Sequence, residues 1–484
     1  MEKIKLKTTV ILLVLSFLIL TSGDAYALPA FPGAEGAGAN SLGGRGGAVI
    51  KVTNLNDSGT GSFRAACTAS GARIVVFEVS GWITLNSPVV ITSGYITIAG
   101  QTSPGGVGIR GDQLRVNAGN VIITHMRFAA GSFNGDGKDS FSIWGNNQSQ
   151  TNPAASSDVA NIILDHCSFR WGCDECGEMS YNPNNITVSW SIVGPGLYNC
   201  TDESNHNLGW LNWGKYSSSN MTYSMHHNLF IHNRYRDPEH QYGLLDGWNN
   251  IIFDYYGAIG ASTEGTSGAK INWRHNYCKK SSATNASPSG RELCLMYPGT
   301  ASPVIYVDGN IGCYRTSQSQ NNWDSVEEQW SGNSPSTAWQ RSSAWPISVG
   351  VAPTITTMSA SYADQILNTV GAYKPVRDSL DVQYIANFKN GTHAYYDGDT
   401  TGNETADYPS LSGGTAPADT DNDGISDAWE IATWGSITPT ASGDQDSDGY
   451  TNIEEYLHYL GGYGGSAPPS DTTPPAAPTG LRVQ

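Results

Sequence analysis

NIILDHCSF, residues 161–169, has close counterparts on both sides, NVIITHMRF at 120–128 and NITVSWSIV at 185–193. Each begins with an asparagine and continues as a short apolar run, rich in β-branched residues and partly alternating, which is typical of a strand. Related runs follow Asn220 and Asn250, and the step between asparagines varies from 24 to 41 residues. The pattern therefore indicates an irregular repeat of one strand-bearing unit.

A unit of this size cannot bury its own apolar face, so neighbouring units must stack to make a core. The repeat predicts an all-β protein built as a parallel β-helix, with Val, Ile and Leu in the shared core and inward asparagines in hydrogen-bonded ladders. A β-sandwich of hairpins is the alternative, but the Asn-Gly and Asp-Gly turns that join paired strands are scarce in this region.

The β-helix is predicted to occupy residues 28–408. Residues 61–67, GSFRAAC, look like a short amphipathic helix ahead of the first strong strand, and such a helix would cap the open end of the core. Between residues 316 and 375 the strand pattern fades into sequence rich in Ser, Asn and Trp, where the coils cannot be traced.

Residues 1–27 have the pattern of a secretory signal peptide. Lys3, Lys5 and Lys7 precede an apolar run over residues 10–20, and a small-x-small cleavage site ends at Ala27. The apolar run is too short to span a bilayer comfortably. We therefore expect a secreted protein, cleaved near Ala27, that does not insert into a membrane.

Acidic residues outnumber basic ones. The chain has 43 Asp and Glu against 26 Lys and Arg, which gives a formal net charge of −17. Nucleic acid and anionic membranes are repelled by such a surface, so we expect neither as a partner. Any anionic ligand requires a metal ion or a local basic cluster, which is a first reason to expect calcium.

Eight cysteines, an even number in an oxidising compartment, predict disulfide bonds. Cys173 and Cys176 form a CxxC motif, a spacing also used in redox and zinc sites. No second CxxC motif, zinc-type histidine pair or βαβ pattern supports those uses, so we favour structural bridging.

Two acidic loops near the C-terminus repeat one spacing. Oxygen side chains occupy loop positions 1, 3, 5, 9 and 12, and glycine occupies position 6, which is the ligand pattern of an EF-hand loop. A merely solvated acidic tail would not repeat the glycine and the final glutamate. We predict structural calcium in a segment at 415–460, followed at 461–484 by a Pro/Ser/Thr linker whose end resembles the start of a fibronectin type III domain. The predicted ligands are Asp419, Asp421, Asp423, Asp427 and Glu430 in the first loop, and Asp444, Asp446, Asp448, Asn452 and Glu455 in the second.

Four further acids precede strand-like runs in the middle of the chain. Asp136 and Asp139 lie before one run, and Asp174 and Glu178, four residues apart, lie before a later one. Equivalent positions on successive coils of a β-helix are close in space although distant in sequence, so these carboxylates can meet. Carboxylate oxygens are ligands that calcium prefers.

Residues 225–238, MHHNLFIHNRYRDP, place Arg236 ten residues after the first histidine and two before Pro238. This spacing, the upstream acids and the Asp165-His166 strand resemble the active-site parts of the pectate lyases of polysaccharide lyase family 1. The resemblance covers residues 28–277, about half of the chain.

The resemblance implies a right-handed parallel β-helix enzyme that cuts pectate (polygalacturonate) by β-elimination and leaves 4,5-unsaturated products. It also implies calcium on the substrate carboxylate, held by Asp136, Asp139, Asp174 and Glu178, and Arg236 as the base that takes the C5 proton. Because arginine normally stays protonated, with a pKa above about 12, an alkaline optimum would follow.

Two basic residues found in many family members are replaced here. Residues 239–241 read EHQ after the proline, and the loop at 199–214 lacks the usual lysine. Lys215, Arg234 and His206 are the candidates to bind substrate in their place.

The sequence leaves other interpretations open. A glycoside hydrolase such as a polygalacturonase shares the fold, but its Asp-Asp and Gly-His-Gly pairs are absent. A lyase acting on another uronate polymer and a non-catalytic glycan-binding β-helix also fit. Trp210 and Trp213 are either a sugar-stacking platform or core, and His226 and His227 are expected to be structural. The expected partner is an acidic polysaccharide, bound by a monomer.

Overall fold

The computed structural model describes residues 28–135, 137–146, 158–200, 204–214, 221–255, 259–261, 268–282, 291–295, 302–328, 333–411 and 413–464. Its strands, numbered in chain order, form three sheets. The ten-stranded sheet contains β1 Ala48–Val52, β2 Arg73–Phe77, β5 Ile96–Ala99, β8 Val121–Thr124, β11 Ala160–Asp165, β14 Asn184–Ser189, β17 Thr222–His226, β20 Leu244–Trp248, β23 Lys270–Arg274 and β26 Val304–Asp308.

The other two sheets complete each coil. The nine-stranded sheet contains β4 Val89–Ile91, β7 Leu114–Val116, β10 Phe141–Trp144, β13 Glu175–Ser180, β16 Leu208–Trp213, β19 Glu239–His240, β22 Ile259–Ala261, β25 Leu293–Leu295 and β27 Val326–Glu328. The eight-stranded sheet contains β3 Gly81–Thr84, β6 Val107–Arg110, β9 Arg127–Ala129, β12 Ser168–Arg170, β15 Ile192–Val193, β18 Leu229–Ile231, β21 Ile251–Phe253 and β24 Tyr277–Lys279.

Each strand pairs in parallel with its equivalent on the next coil, as between Ile162 of β11 and Ile186 of β14. Apolar side chains from all three sheets fill one continuous core, in which Val121, Phe169 and Val188 are fully buried. The predicted parallel β-helix is therefore confirmed.

Two kinds of asparagine explain the repeat in the sequence. Asn120, Asn161 and Asn185 have φ between 52° and 58°, the left-handed conformation that a short polar side chain tolerates in a tight turn before a strand. Asn228 and Asn250 belong to a buried ladder, in which the backbone N–H of each asparagine donates to the side-chain oxygen of its equivalent on the next coil, at 2.8–3.1 Å. This ladder continues through Asn276 and Asn310. It confirms the prediction that inward asparagines form hydrogen-bonded ladders.

A short helix, α1 Phe63–Thr68, covers one end of the core, as predicted. Ser62 caps its N-terminus by accepting a hydrogen bond from the backbone N–H of Ala65 at 3.2 Å. Phe63, Ala66 and Cys67 are buried in the main core, so the helix closes a face that would otherwise be open to water.

Residues 36–47, rich in glycine, form a strap across the outside of the ten-stranded sheet. The backbone N–H groups of Gly38 and Gly44 donate to the hydroxyls of Thr187 and Thr97, both at 2.9 Å. A side chain at Gly38 would place its Cβ 2.0 Å from the carbonyl oxygen of Ile162. The strap is glycine-rich because the backbone lies directly on the strands.

The chain beyond β27 returns along the outside of the β-helix. Its helices α2 Ala360–Thr369 and α3 Ser379–Asn390 pack on the eight-stranded sheet. Asp378, which caps α3, is buried between Arg127 and Arg170 at 2.9 and 2.6 Å, and these cations hold its pKa well below the usual range. The predicted region 28–408 thus corresponds to coils that end at Glu328 and a returning segment. Four short 3-10 turns occur at Gly100–Thr102, Asn322–Ser325, Thr337–Trp339 and Thr405–Asp407.

The two acidic loops fold beside the first coils. Their helices are α4 Asp427–Trp434 and α5 Asn452–Gly461. Trp429 and Tyr456 pack against Ile74 and Val76, whose side chains point outward from β2.

One disulfide is present in the described part of the chain, between Cys173 and Cys200 with an S–S distance of 2.07 Å. It confirms that structural bridging occurs, and it shows that the two cysteines of the CxxC motif are not joined to each other. Unpaired cysteines are Cys67, Cys167, Cys176, Cys278 and Cys313. The predicted signal peptide and the 465–484 part of the predicted linker lie outside the described residues. Among the described helices, none has the length and apolarity needed to cross a bilayer.

Candidate active site

Asp139, Asp174 and Arg236, three of the predicted site residues, lie near one another where four strands of the nine-stranded sheet begin. Register sets this arrangement: Ser142 of β10 pairs with Glu178 of β13, which pairs with Leu211 of β16, which pairs with Glu239 of β19. The residue three positions before each of these is Asp139, Glu175, Leu208 and Arg236, respectively.

Asp139, Asp174 and Glu175 form what we call the cleft group. Each offers one carboxylate oxygen, and these oxygens lie within 4.8 Å of one another. Asp139 accepts hydrogen bonds from the Ser142 hydroxyl at 2.8 Å and from the backbone N–H of Glu175 at 3.1 Å. Burial, and then the charge of Asp174, raises the pKa of Asp139 to about 7.

Glu178, predicted as a metal ligand, lies beside the cleft group. Its carboxylate accepts hydrogen bonds from the indole N–H of Trp144 at 2.9 Å and from the Ser180 hydroxyl. Burial and the charge of Asp139 raise the pKa of Glu178 to about 8. Among the described acids, the residue grouped with Asp139 and Asp174 is the neighbouring Glu175.

Sequence reasoning missed Glu175 because the four-residue spacing of the resemblance selected Glu178. The register between neighbouring coils identifies Glu175, because Glu175 pairs with Leu208 on the next coil, in the same line of positions as Asp139 and Arg236. Asp136 and Lys215, the other predicted residues of this region, lie outside the described residues.

Arg236 projects from a β-bulge. Leu208 pairs with Tyr235 and Leu211 with Glu239, so two residues on β16 face three on the following coil. The extra residue places Arg236 at φ 65°, a conformation that side chains rarely adopt. The backbone oxygen of Arg236 accepts a hydrogen bond from the backbone N–H of Trp210 at 2.6 Å, which holds the bulge in place.

The Arg236 side chain is about one-quarter exposed and contacts two carboxylates. Its guanidinium forms an ion pair with Glu175 of the cleft group and another with Glu239 at 3.3 Å. The alternative interpretation of Arg236 is a surface arginine paired with Asp237 or Glu239. The pair with Glu239 is present, whereas Asp237 is buried and accepts a hydrogen bond from Asn233 at 2.8 Å. The ion pair with the buried Glu175 goes beyond that alternative.

Two predicted substrate-binding residues flank the cleft group at different distances. His206 Nδ1 lies 3.4 Å from an oxygen of Asp174. The Cys173–Cys200 disulfide ties the turn that carries Asp174 to the loop before His206. The guanidinium of Arg234 lies 5.5 and 5.1 Å from the ring centroids of Tyr198 and Tyr235, beyond this loop.

The histidines and tryptophans of this region differ in their surroundings. His226 and His227 are buried; His227 stacks on Trp190 at 4.3 Å, and His226 on Trp248 at 4.3 Å. Burial lowers the pKa of His227 to about 3. Trp210 is fully buried in the core, whereas Trp213 is half-buried on the outer face of β16.

Comparison with known proteins adds relatives of nearly full length. Probable pectate lyase C of Aspergillus fumigatus is 33% identical over 442 residues, covering 90% of this chain and 94% of the relative. Probable pectate lyase C of Aspergillus oryzae is 34% identical over 458 residues, covering 92% and 96%. No protein-family model matches the chain.

Solved structures support the fold. Jun a 1, the major allergen from cedar pollen, aligns with a TM-score of 0.50 at 18% identity, over 70% of this chain and 92% of the other. The thermostable pectate lyase PL 47 aligns with a TM-score of 0.50 at 15% identity, over 70% and 97%. The β-helix, right-handed as in these folds, and the relatives define the chain as a polysaccharide lyase. It belongs to the pectate lyase family.

The C-terminal segment contains two further acidic groups. Asp419, Asp421 and Asp423 lie together in the first loop, as do Asp444, Asp446 and Asp448 in the second. We call these the loop groups. All three carboxylates at the first, third and fifth positions of each loop can hold one metal ion.

The last glutamate of each loop is buried beside its loop group. Glu430 is 0% exposed, and neither carboxylate oxygen has a hydrogen-bond partner among the described residues. Burial and the neighbouring Asp423 raise its pKa to about 7. Glu455 is also buried, and burial and Asp446 raise its pKa to about 7.

The residues at position 9 have other partners. Asp427 accepts hydrogen bonds from the backbone N–H and the hydroxyl of Thr420, both at 2.7 Å. Asn452 accepts one from the backbone N–H of Gln445 at 3.1 Å. In the described structure each of these side chains accepts a hydrogen bond from the start of its own loop, and Asp427 does not belong to the first loop group.

Proposed function

We propose that the chain is a secreted, calcium-dependent pectate lyase that cleaves polygalacturonate by β-elimination and leaves 4,5-unsaturated oligogalacturonides. The observation that carries the proposal is on the nine-stranded sheet, where Arg236 projects from a bulge and contacts Glu175 of the largely buried cleft group. The family of the chain supports the reaction type.

The cleft group fits a calcium ion. Its donors are carboxylate oxygens, which calcium prefers, and they come from two neighbouring coils. Crowding buried carboxylates is unfavourable by itself, as the raised pKa of Asp139 indicates, and a divalent cation offsets that repulsion. Asp139, Asp174 and Glu175 would hold the ion, with Glu178 and Asp136 as further candidates. When bound, calcium supplies a positive charge that neutralises the substrate carboxylate and so acidifies the C5 proton.

Arg236 is the proposed base. Its guanidine nitrogen takes the proton from C5, the C5–H electron pair forms the C4–C5 double bond, and the C4–O bond breaks. The leaving oxygen of the next sugar takes a proton from water. Glu175 connects the two parts of the site, because it belongs to the cleft group and also pairs with Arg236.

The direct test is ultraviolet absorbance of polygalacturonate incubated with the purified chain, in calcium and in a chelator. We expect an absorbance rise that requires calcium. Arg236→Ala should reduce the rate by at least about 10³-fold, since it removes the reacting base. Its melting temperature should stay close to that of the parent. Arg341→Ala, an arginine distant from the site, is the matched control.

Other outcomes would redirect the assignment. Shortened chains without absorbance would indicate a hydrolase. A rise with a different uronate polymer alone would keep the reaction and change the substrate. An Arg236→Ala variant with near-parental rate would remove Arg236 as the base.

We further propose that residues 415–460 bind calcium structurally. The buried Glu430, whose oxygens face the first loop group without hydrogen bonds, supports this role. Each loop group would hold one ion together with its final glutamate, while Asp427 and Asn452 stay candidates for contacts through water. Export with cleavage after Ala27 completes the proposal. The N-terminal sequence of the secreted protein tests it, and a start at Leu28 is expected.

A further inference from the structure

We propose that Arg115, Trp144, Tyr181 and Trp213 form a sugar-binding surface, which we call the aromatic row. It lies on the outer face of the nine-stranded sheet beside the cleft group. The chemical class of ligand is an oligouronate, and this part of the inference rests on the proposed function.

The row follows from strand register. Trp144 of β10 pairs with Ser180 of β13, and Ser180 pairs with Trp213 of β16, so the two tryptophans stand at one level on coils that are separated by a single coil. Tyr181, the residue after Ser180, fills the gap. Its ring centroid lies 5.2 Å from that of Trp144 and 5.4 Å from that of Trp213. All three rings are half-buried.

The row is anchored at the side of the cleft group. The indole N–H of Trp144 donates to Glu178 at 2.9 Å, and the guanidinium carbon of Arg115 lies 3.5 Å from the Trp144 ring centroid. Arg115 pairs in register with Ser142, whose hydroxyl donates to Asp139 of the cleft group. A polymer bound at the cleft group therefore continues onto the row.

The chemistry of the row matches that of a uronate chain. A sugar ring has apolar C–H faces, which pack on aromatic rings, while the carboxylate of a uronate suits an arginine. Arg115 forms no ion pair within 4 Å among the described residues, although Asp139 and Glu178 are near. It supplies a basic group on a cleft that lacks the usual lysine of the family.

Burial in the hydrophobic core accounts for the position of Trp210, but it does not account for the aromatic row. Trp210 lies on the same strand as Trp213 and is fully buried against Phe169. The row consists of the aromatic side chains that point the other way, toward solvent and the cleft group. Large aromatic groups gathered on one outer face are typical of a binding surface.

Calorimetric titration with octagalacturonate in calcium tests the row. The parent is Arg236→Lys, which the proposed role of Arg236 as the base predicts to be inactive. Trp213→Ala in that background should weaken binding about 5-fold, since one aromatic contact is worth roughly 1 kcal/mol and 1.4 kcal/mol is tenfold. Trp213→Phe should restore most of the affinity. Trp345→Ala is the matched control, because Trp345 is a half-buried indole near Lys270 on another flank.

Arg115 is tested by its charge. Arg115→Gln should weaken binding of octagalacturonate about 10-fold and leave binding of its methyl-esterified form within about twofold, because only the free acid offers a carboxylate. Equal loss on both ligands would assign Arg115 to packing and overturn its role.

The outcomes separate this inference from the proposed function. If Trp213→Ala and Trp345→Ala bind equally well, or if the parent does not bind although the wild type makes unsaturated product, the row is not a binding surface. If the parent binds and loses affinity as expected while the wild type gives no absorbance, the row stands and the lyase assignment fails.

Discussion

The cleft group takes its carboxylates from two coils, with Asp139 and Asp174 35 residues apart in sequence, whereas each loop group comes from five consecutive residues. The cleft group is largely buried and has a cation, Arg236, in direct contact. The loop groups are mostly exposed, and the final glutamate of each loop is buried beside them. The difference indicates two uses for the same chemistry. On the proposed function, a metal ion at the loops would fasten a segment to the β-helix, and one at the cleft would act on substrate.

The largest effect that separates the two regions is expected from Glu175→Gln. This change removes a carboxylate from the cleft group and the ion-pair partner of Arg236, so kcat/KM on polygalacturonate should fall by about 10³-fold, or roughly 4 kcal/mol. Asp421→Asn, the matched change in a loop group, should leave kcat/KM within twofold. Absorbance kinetics at saturating calcium measure both. If the two variants lost equal amounts of kcat/KM, the cleft group and the loop groups would not have separate roles.

Gly209→Ala is expected to come next, because it moves Arg236 without removing a carboxylate. A Cβ at position 209 would lie 2.3 Å from the backbone oxygen of Arg236, so the bulge must shift. A displacement near 1 Å at a reacting group costs about 10²-fold in rate. The measurement is kcat together with the thermal melt. Gly46→Ala, where a Cβ meets nothing within 4 Å but φ is 70°, is the control. It should lower the melting temperature through backbone strain and keep full kcat. Unchanged kcat in Gly209→Ala would show that the bulge does not position the base.

Glu430→Gln should separate stability from catalysis. It removes the buried carboxylate of the first loop, so calcium should stabilise the variant by about 2 kcal/mol less than the parent, while kcat at 25 °C stays unchanged. Thermal melts in calcium and in chelator measure the difference. Glu404→Gln, an exposed glutamate, serves as the control. Loss of activity at a temperature where the variant is folded would contradict the separation.

The smallest effect is expected at the junction between the loops and the β-helix. Lys51 of β1 pairs with Asp419 of the first loop group at 2.5 Å and donates to Asn422 at 2.7 Å. Lys51→Met should lower stability by less than about 1 kcal/mol, since a partly exposed ion pair contributes little. The loss of stability should be larger in chelator than in calcium, because a bound calcium ion would replace Lys51 as the cation that neutralises Asp419. A larger loss in calcium would mean that Lys51 assists the ion.

Sequence patterns predict what is local. The loop groups, the cap at α1 and most strands up to β26 follow from spacings within about twelve residues, which is why the sequence indicates them. The cleft group depends on register between coils that loops of different length connect. The sequence therefore brings Asp139 and Asp174 together by resemblance, and selects Glu178 where the structure groups Glu175.

The return of the chain after β27 could not be predicted for the same reason. The buried contact of Asp378 with Arg127 and Arg170 joins residues more than 200 positions apart, and no local spacing marks it. The bulge at Arg236 could not be predicted from a sequence pattern either, since a single extra residue is recognised only by comparison with the pairing of the neighbouring strand β16. The role of Trp213, left open by the sequence, depends on which way alternate residues of β16 point.

The glycine-rich strap at residues 36–47 has a consequence for how the protein is made. It is synthesised before any coil, yet its partner Thr187 lies 149 residues later, and Ser224, which accepts a hydrogen bond from Ala37 N–H, lies 187 residues later. At roughly 5–20 residues per second of synthesis, the strap waits about 10–40 s for its docking surface to exist. The start of the folded chain thus docks fully only after the strands up to β17 have been made, and until then the first strands of the ten-stranded sheet present an uncovered outer face to their surroundings.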